Sequence, residues 1–324
     1  MPHALSLADY LHQLASAAPE ALELDGELLA ERGYTRLETW PDLHAFVHLR
    51  RLNLAHNALL EVPADLPPNQ WAELDLSGNE LDTAEGLLCC PALQVLDLSH
   101  NLLTDLPLLS GLTQLRRLNL AHNFLAALPQ LGPDSPIQWL ALSGNKRLQD
   151  LSPWREQPPQ QLQTLYLKQI LLADLAPLVH LPALTALYLS PVTAESLRVL
   201  PRLPRLRTLH LSLRQLPDLA ALPPVPQVQH LTVQLGTNPP LQGLAQCRGL
   251  RSLSLARNRL TACPPLHGLD QLTSLSLRQN PLTELPPPAQ LPALRYLDLR
   301  DTALTQATVR AWQAAHPHVQ VQRG

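Results

Sequence analysis

The stretch Leu93-Gln94-Val95-Leu96-Asp97-Leu98-Ser99-His100-Asn101-Leu102-Leu103 decides how this chain folds. It reads Leu-x-x-Leu-x-Leu-x-x-Asn-x-Leu, and matching stretches open at Leu49, Trp71, Leu93, Leu115, Ile137, Leu162, Leu184, Leu206, Val228, Leu250, Leu272 and Leu294. Ten of the eleven intervals are 22 residues, and the interval from Ile137 to Leu162 is 25. In Leu-x-Leu the two leucines fall on one face of a short strand, because strand side chains alternate. Apolar positions then recur in steps of three, as at Leu103, Leu106, Leu109 and Leu112, which suits a tight return segment. The 33 prolines, about twice the usual share of roughly 5%, disfavour long helices there and favour extended or 3-10 pieces. One such unit cannot bury its apolar face alone, so the units must stack.

Twelve units in this register resemble the leucine-rich-repeat family, directly over residues 49–304. The 22-residue class is similar to that of bacterial internalins and of a regulatory subunit of protein phosphatase 1. The resemblance implies an α/β solenoid of horseshoe form. A parallel sheet would line its concave face, with short 3-10 or extended segments on the convex side. It also implies that the repeat asparagine is structural, its amide serving backbone groups along the stack, and that the variable strand residues form the binding face.

The ends of a stack expose leucine and unpaired strand edges unless something covers them. Residues 1–48 are expected to form a helical cap and a degenerate first repeat. Ser6 and Asp9 open a capping box, Leu7, Tyr10, Leu11, Leu14 and Ala18 form one stripe, and Leu22-Glu23-Leu24 stands as a strand. A longer return with Tyr34, Trp40 and Phe46 follows. Residues 305–324 are expected to form a helix with Val309 and Trp312 facing inward, then a truncated strand on Val319 and Val321.

Aromatic residues make up 4% of the 324 and the apolar share is 45%, which fits thin leucine layers rather than a compact enzyme core. No secretory leader and no membrane-spanning run is evident. Cys90, Cys247 and Cys263 stand where other repeats place apolar residues, and Cys89 lies beside that column. They form neither a zinc pattern nor a disulfide framework, so a reducing, cytoplasmic setting is the simplest fit. Net charge is −3, yet residues 1–161 carry 9 Lys+Arg against 20 Asp+Glu while residues 162–324 carry 15 against 7. Such asymmetry suggests steering of a partner or salt-sensitive self-association.

The asparagine column runs Asn57, Asn79, Asn101, Asn123 and Asn145. It lapses at Ile170, Val192, Arg214 and Gly236, resumes at Asn258 and Asn280, and lapses again at Thr302. The gap follows the 25-residue unit and predicts altered curvature or a local twist over residues 146–240.

Between the two strand leucines the chain reads Asn53, Asp75, Asp97, Asn119, Ala141, Tyr166, Tyr188, His210, Thr232, Ser254, Ser276 and Asp298. Trp139 and His230 lie on the same face, and Arg257, Arg278 and Arg300 form a basic stripe beyond it. The face therefore passes from acidic Asp75 and Asp97 through aromatic rings to arginine. Tyr, Trp and Arg are the residue types that dominate binding hot spots; packing of neighbouring rings across strands is the alternative.

His100 and His122 occupy one repeat position in adjacent units, but two imidazoles are short of the three or four ligands of a specific metal site. No phosphate loop, nucleophile elbow or His-Glu-x-x-His is present, and no cofactor is implied. The sequence therefore points to a non-enzymatic module that binds a protein or peptide on its concave face. The alternatives are an adaptor or regulatory subunit of an enzyme such as a phosphatase, and phosphate or nucleic-acid binding through the arginine-rich second half. Nucleic acid is the less favoured partner because the charges are dispersed and the whole chain is acidic.

Overall fold

The computed structural model describes residues 6–66, 70–132, 134–190, 195–212, 222–234, 236, 241–285 and 291–323. The chain divides into two compact units, Met1–Leu165 and Tyr166–Gly324.

The first unit opens with α1 (Leu7–Ala15), where Ser6 Oγ accepts from the Asp9 N–H and donates to the Asp9 carboxylate. Strand β1 (Ala21–Glu23) follows, then a short helix, α2 (Gly26–Glu31), capped by Asp25. The sequence pattern gave no sign of α2. Five three-residue strands come next: β2 (Arg51–Asn53), β3 (Glu73–Asp75), β4 (Val95–Asp97), β5 (Arg117–Asn119) and β6 (Trp139–Ala141). Each pairs parallel with the next in chain order, so Leu22, Leu52, Leu74, Leu96, Leu118 and Leu140 stand opposite one another. A one-residue slip would turn this whole column out of the core, which is why the register is fixed.

Strand β7 (Thr164–Lys168) carries the division between the units. The second unit continues with β8 (Ala186–Ser190), β9 (Thr208–Ser212), β10 (His230–Gln234), β11 (Ser252–Ser254), β12 (Ser274–Ser276) and β13 (Tyr296–Asp298). Helix α3 (Gln306–Ala315) and β14 (Gln320–Gln322) complete it. From β8 to β14 the strands again pair parallel in chain order, and Val321 stands opposite Leu297. Val309 of α3 is buried, and Trp312 stacks on His316 with ring centroids 4.1 Å apart.

The return segments are 3-10 turns and extended chain, as the spacing and the prolines require. The described turns are Glu85–Cys89, Leu109–Gly111, Ser152–Arg155, Ala176–His180, Ser196–Arg202 and Gln242–Gln246. The 25-residue interval has its return between β6 and β7, where Trp154 is buried. Leucine fills the core of both units. Cys90 and Cys247 are buried within it, Cys263 is partly buried and Cys89 is exposed. Burial holds the Cys247 thiol up at about 11 and that of Cys263 at about 12.

The asparagines bind the repeats to one another. Asn101 Nδ2 donates to the carbonyls of Leu76, Leu98 and Ser99, while its Oδ1 accepts from the Leu81 N–H. Asn57, Asn79, Asn123 and Asn145 repeat the arrangement, as does Asn280 in the second unit, where Asn258 Nδ2 also donates to the Val233 carbonyl. The residue before the asparagine turns left-handed, with φ of 57° at His56, 55° at His100, 57° at His122, 63° at Arg257 and 56° at Gln279. Glycine takes the same place at Gly144, φ 82°, where a Cβ would come within 2.6 Å of the His122 ring.

Over the gap from Ile170 to Gly236 the strands lengthen, whereas β13 ahead of Thr302, whose hydroxyl takes up the Leu299 carbonyl, keeps three residues. Strands β7 to β10 have five residues each and the remaining described strands have three. Ile170 is buried in the asparagine's place, and Gly236 is itself left-handed at φ 66°. Without the side-chain amide to take up turn carbonyls, the backbone satisfies its own polar groups by prolonging the sheet pairing. Val192 and Arg214 lie outside the described residues, as do 191–194, 213–221, 235 and 237–240 within the span for which a twist was expected.

Candidate functional site

Strand pairing puts the variable residues of each unit in one column on the sheet face opposite the leucines. In the first unit the column is Glu23, Asn53, Asp75, Asp97, Asn119 and Ala141. These polar groups are already joined. Asn53 donates to the Glu23 carboxylate, Asn119 donates to Asp97 Oδ2, and the Oδ1 atoms of Asp75 and Asp97 accept from the N–H groups of Ser77 and Ser99. The acids thus shape the strand ends as well as charging the face. Trp139 lies on the neighbouring column, with the Arg117 guanidinium 4.9 Å from its ring centre, a cation–π arrangement.

The second unit holds the aromatic group. Tyr166 and Tyr188 stack with centroids 4.0 Å apart and planes 10° from parallel. Tyr188 and His210 follow at 5.6 Å and 28°. The Lys168 ammonium sits 5.5 Å from the Tyr188 ring centre. All four side chains are half-buried. Burial and a hydrogen bond with Tyr166 hold the Tyr188 hydroxyl up at about 12, so it stays protonated. Burial, then the charge of Lys168, lowers His210 to about 4, and the ring is neutral at pH 7. His210 Nε2 has no hydrogen-bond partner among the described residues. His230 is exposed on β10, diagonal to His210 rather than opposite it.

Two points follow that the sequence did not reveal. The ring faces are spent on one another, so the surface presents ring edges and the tyrosine oxygens, while His210 Nε2 is buried. The arginines beyond are largely compensated. Arg300 makes a two-pronged pair with Asp298, at 3.0 and 2.8 Å, and Arg278 pairs with Asp301 at 3.3 Å. Arg257 donates to Gln279. Burial raises Asp298, but the hydrogen bonds and charge of Arg300 outweigh it and hold the carboxyl below its usual range.

His100 and His122 stack at 4.4 Å. Burial first, then the charges of His100 and Lys146, lower His122. No group of three or more metal-ligating residues gathers among the described residues, and none of their helices is long and apolar enough to cross a membrane.

The family model for leucine-rich repeats in two copies matches residues 91–133 and 270–309. The parallel strands, the leucine column and the asparagine ladder carry the same assignment through both units. The chain thus has the fold of a leucine-rich-repeat solenoid, with leucine-rich repeats matched in both units. Among solved structures it is similar to an internalin from Listeria monocytogenes, at 18% identity and TM-score 0.58, covering 98% of this chain and 88% of the other. It is also similar to YopM, a leucine-rich effector protein from Yersinia pestis, at 25% identity and TM-score 0.55, covering 91% and 75%. A comparison with curated proteins returns no match. The chain thus resembles the Listeria internalin in fold.

Proposed function

We propose that this leucine-rich-repeat solenoid binds a protein or peptide on its exposed sheet face, with Tyr166, Tyr188 and His210 of the second unit as the main anchors. The observation that carries this reading is the three-ring stack. The next residues in its column, Thr232, Ser254 and Ser276, are small, so the rings rise above them. Stacked tyrosines lose little further freedom on binding, and their edges and oxygens suit a mixed apolar and polar partner surface. In the first unit, Trp139 over Arg117 offers a surface of its own, to which the Asp75 and Asp97 column adds acidic charge. Arg278 and Arg300, each held by a carboxylate, lend little to a phosphate-binding reading of the stripe they share with Arg257.

Photo-crosslinking tests the proposal. A photoreactive residue at position 188 is expected to give one discrete adduct in native lysate, whereas the same residue at exposed Leu60 gives none. Equal labelling from both positions contradicts it.

A further inference from the structure

Between Ser196 and Leu269 the chain carries nine arginines, no lysine and one acid, Asp218. Five exposed arginines line the edge from which the strands of the second unit start. Arg207, Arg251 and Arg295 each stand one residue before a strand, at the same point of the repeat. The backbone joins them through the residues between: the Gln229 N–H donates to the Arg207 carbonyl, Arg251 to Gln229, Thr273 to Arg251 and Arg295 to Thr273. Arg205 and Arg248 lie in the turns just ahead. Among the described residues none of the five has a carboxylate partner, and one acid, Asp270, stands in the matching turns. Arg207 instead rests on the carbonyls of Pro204, Leu206 and Gln227, which fixes its guanidinium at the edge.

We infer that this arginine edge binds an acidic polypeptide segment, carboxylates spaced along an extended chain. The inference rests on the protein-binding reading above and names the chemistry of the partner. One strand lies between Arg207 and Arg251 and one between Arg251 and Arg295, so successive arginines are two strand spacings apart, about 10 Å. An extended polypeptide in the polyproline-II form advances about 3.1 Å per residue with three residues per turn, so an acid at every third position lies on one face and meets each arginine in turn. Arg accepts a carboxylate in two-pronged geometry. The residues between the arginines are Gln229 and Thr273, not aromatic rings, so the edge offers no platform on which bases stack, as single-stranded nucleic acid requires. The edge also borders the proposed anchor: Arg207, one residue ahead of β9, is three residues from His210 of that strand, roughly 10 Å.

The test uses the full chain and three fluorescent probes. These are a peptide with glutamate at every third position, its glutamine counterpart, and a single-stranded oligonucleotide of similar charge. The acidic peptide is expected to bind at low salt and to lose affinity as salt is raised. The glutamine peptide is expected not to bind. Arg207→Gln/Arg251→Gln/Arg295→Gln should weaken the acidic peptide by at least about tenfold with the melting temperature held, since all three side chains are exposed. Equal binding of both peptides, binding unaffected by the triple change, or preferred binding of the oligonucleotide overturns the inference. Tyr166→Ala/Tyr188→Ala separates it from the function proposed above. A partner lost with the tyrosines but indifferent to the arginines defeats the acidic edge alone. Arginine-dependent binding of the acidic peptide, with partner capture indifferent to the tyrosines, defeats the anchor alone.

Discussion

Tyr166 and Tyr188 stand on adjacent strands with their rings 4.0 Å apart and nearly parallel. The pairing follows from the repeat. An interval of 22 residues returns the chain to the same point one strand over, about 4.8 Å away, and two aromatic residues there must meet face to face. Such a pair contributes about 0.5–1.5 kcal/mol beyond area burial. It is therefore a feature of the stack and of the surface at once, and a test of binding has to separate the two.

The asparagine ladder sets the first prediction. Asn101→Ala removes donors to three carbonyls and the acceptor for Leu81 N–H, all in the interior. Unfolding free energy is expected to fall by about 2–4 kcal/mol. Thr302→Ala, which removes one hydrogen bond to the Leu299 carbonyl, should cost under about 1.5 kcal/mol. Chemical denaturation of both variants checks this, and equal losses contradict the ladder's role.

His210 sets a pH dependence. Its folded-state value lies at about 4 against 6.5 for a free imidazole, through burial and then Lys168. Between those values the unfolded chain holds more protons, so this contribution is complete above pH 6.5 and is lost as pH falls towards 4. The ring is part-exposed and screened, which reduces the loss to about 1 kcal/mol. The difference in unfolding free energy between the parent and His210→Phe, followed from pH 7 to pH 4, is expected to show this slope. A flat difference contradicts it.

Asp298 and Arg300 give a third expectation. Arg300→Met leaves the buried Asp298 carboxylate without its two-pronged partner. The melting temperature at neutral pH should drop, and the Asp298 carboxyl, followed by NMR titration, should move up from its lowered position. An unchanged midpoint shows that the pair does not set the carboxyl's ionisation.

How much of this was legible beforehand depends on which forces set each feature. Leu96, Leu98 and Asn101 are fixed by a pattern repeated twelve times, so the strands, the register and the ladder could be read directly. Helix α2 could not, because Gly26–Glu31 occurs once and follows no repeat. The choice between an open aromatic surface and cross-strand stacking at Tyr166 and Tyr188 was visible as a choice. Deciding it required ring geometry. The partners of Arg278 and Arg300 were hidden because Asp301 was not singled out and Asp298 was read only as a residue of the strand face. The lengthening of β7 to β10 follows from the missing amides, a consequence of backbone hydrogen bonding that residue patterns do not display.

The most direct measurement is partner capture from native lysate by the parent protein and by Tyr166→Ala/Tyr188→Ala, with melting temperatures recorded beside it. The account predicts a partner held by the parent and lost with the variant, a weakening of more than about tenfold, while the variant remains folded with a melting temperature lowered by the loss of the ring stack. A partner retained equally by a folded variant contradicts the assignment of the binding face.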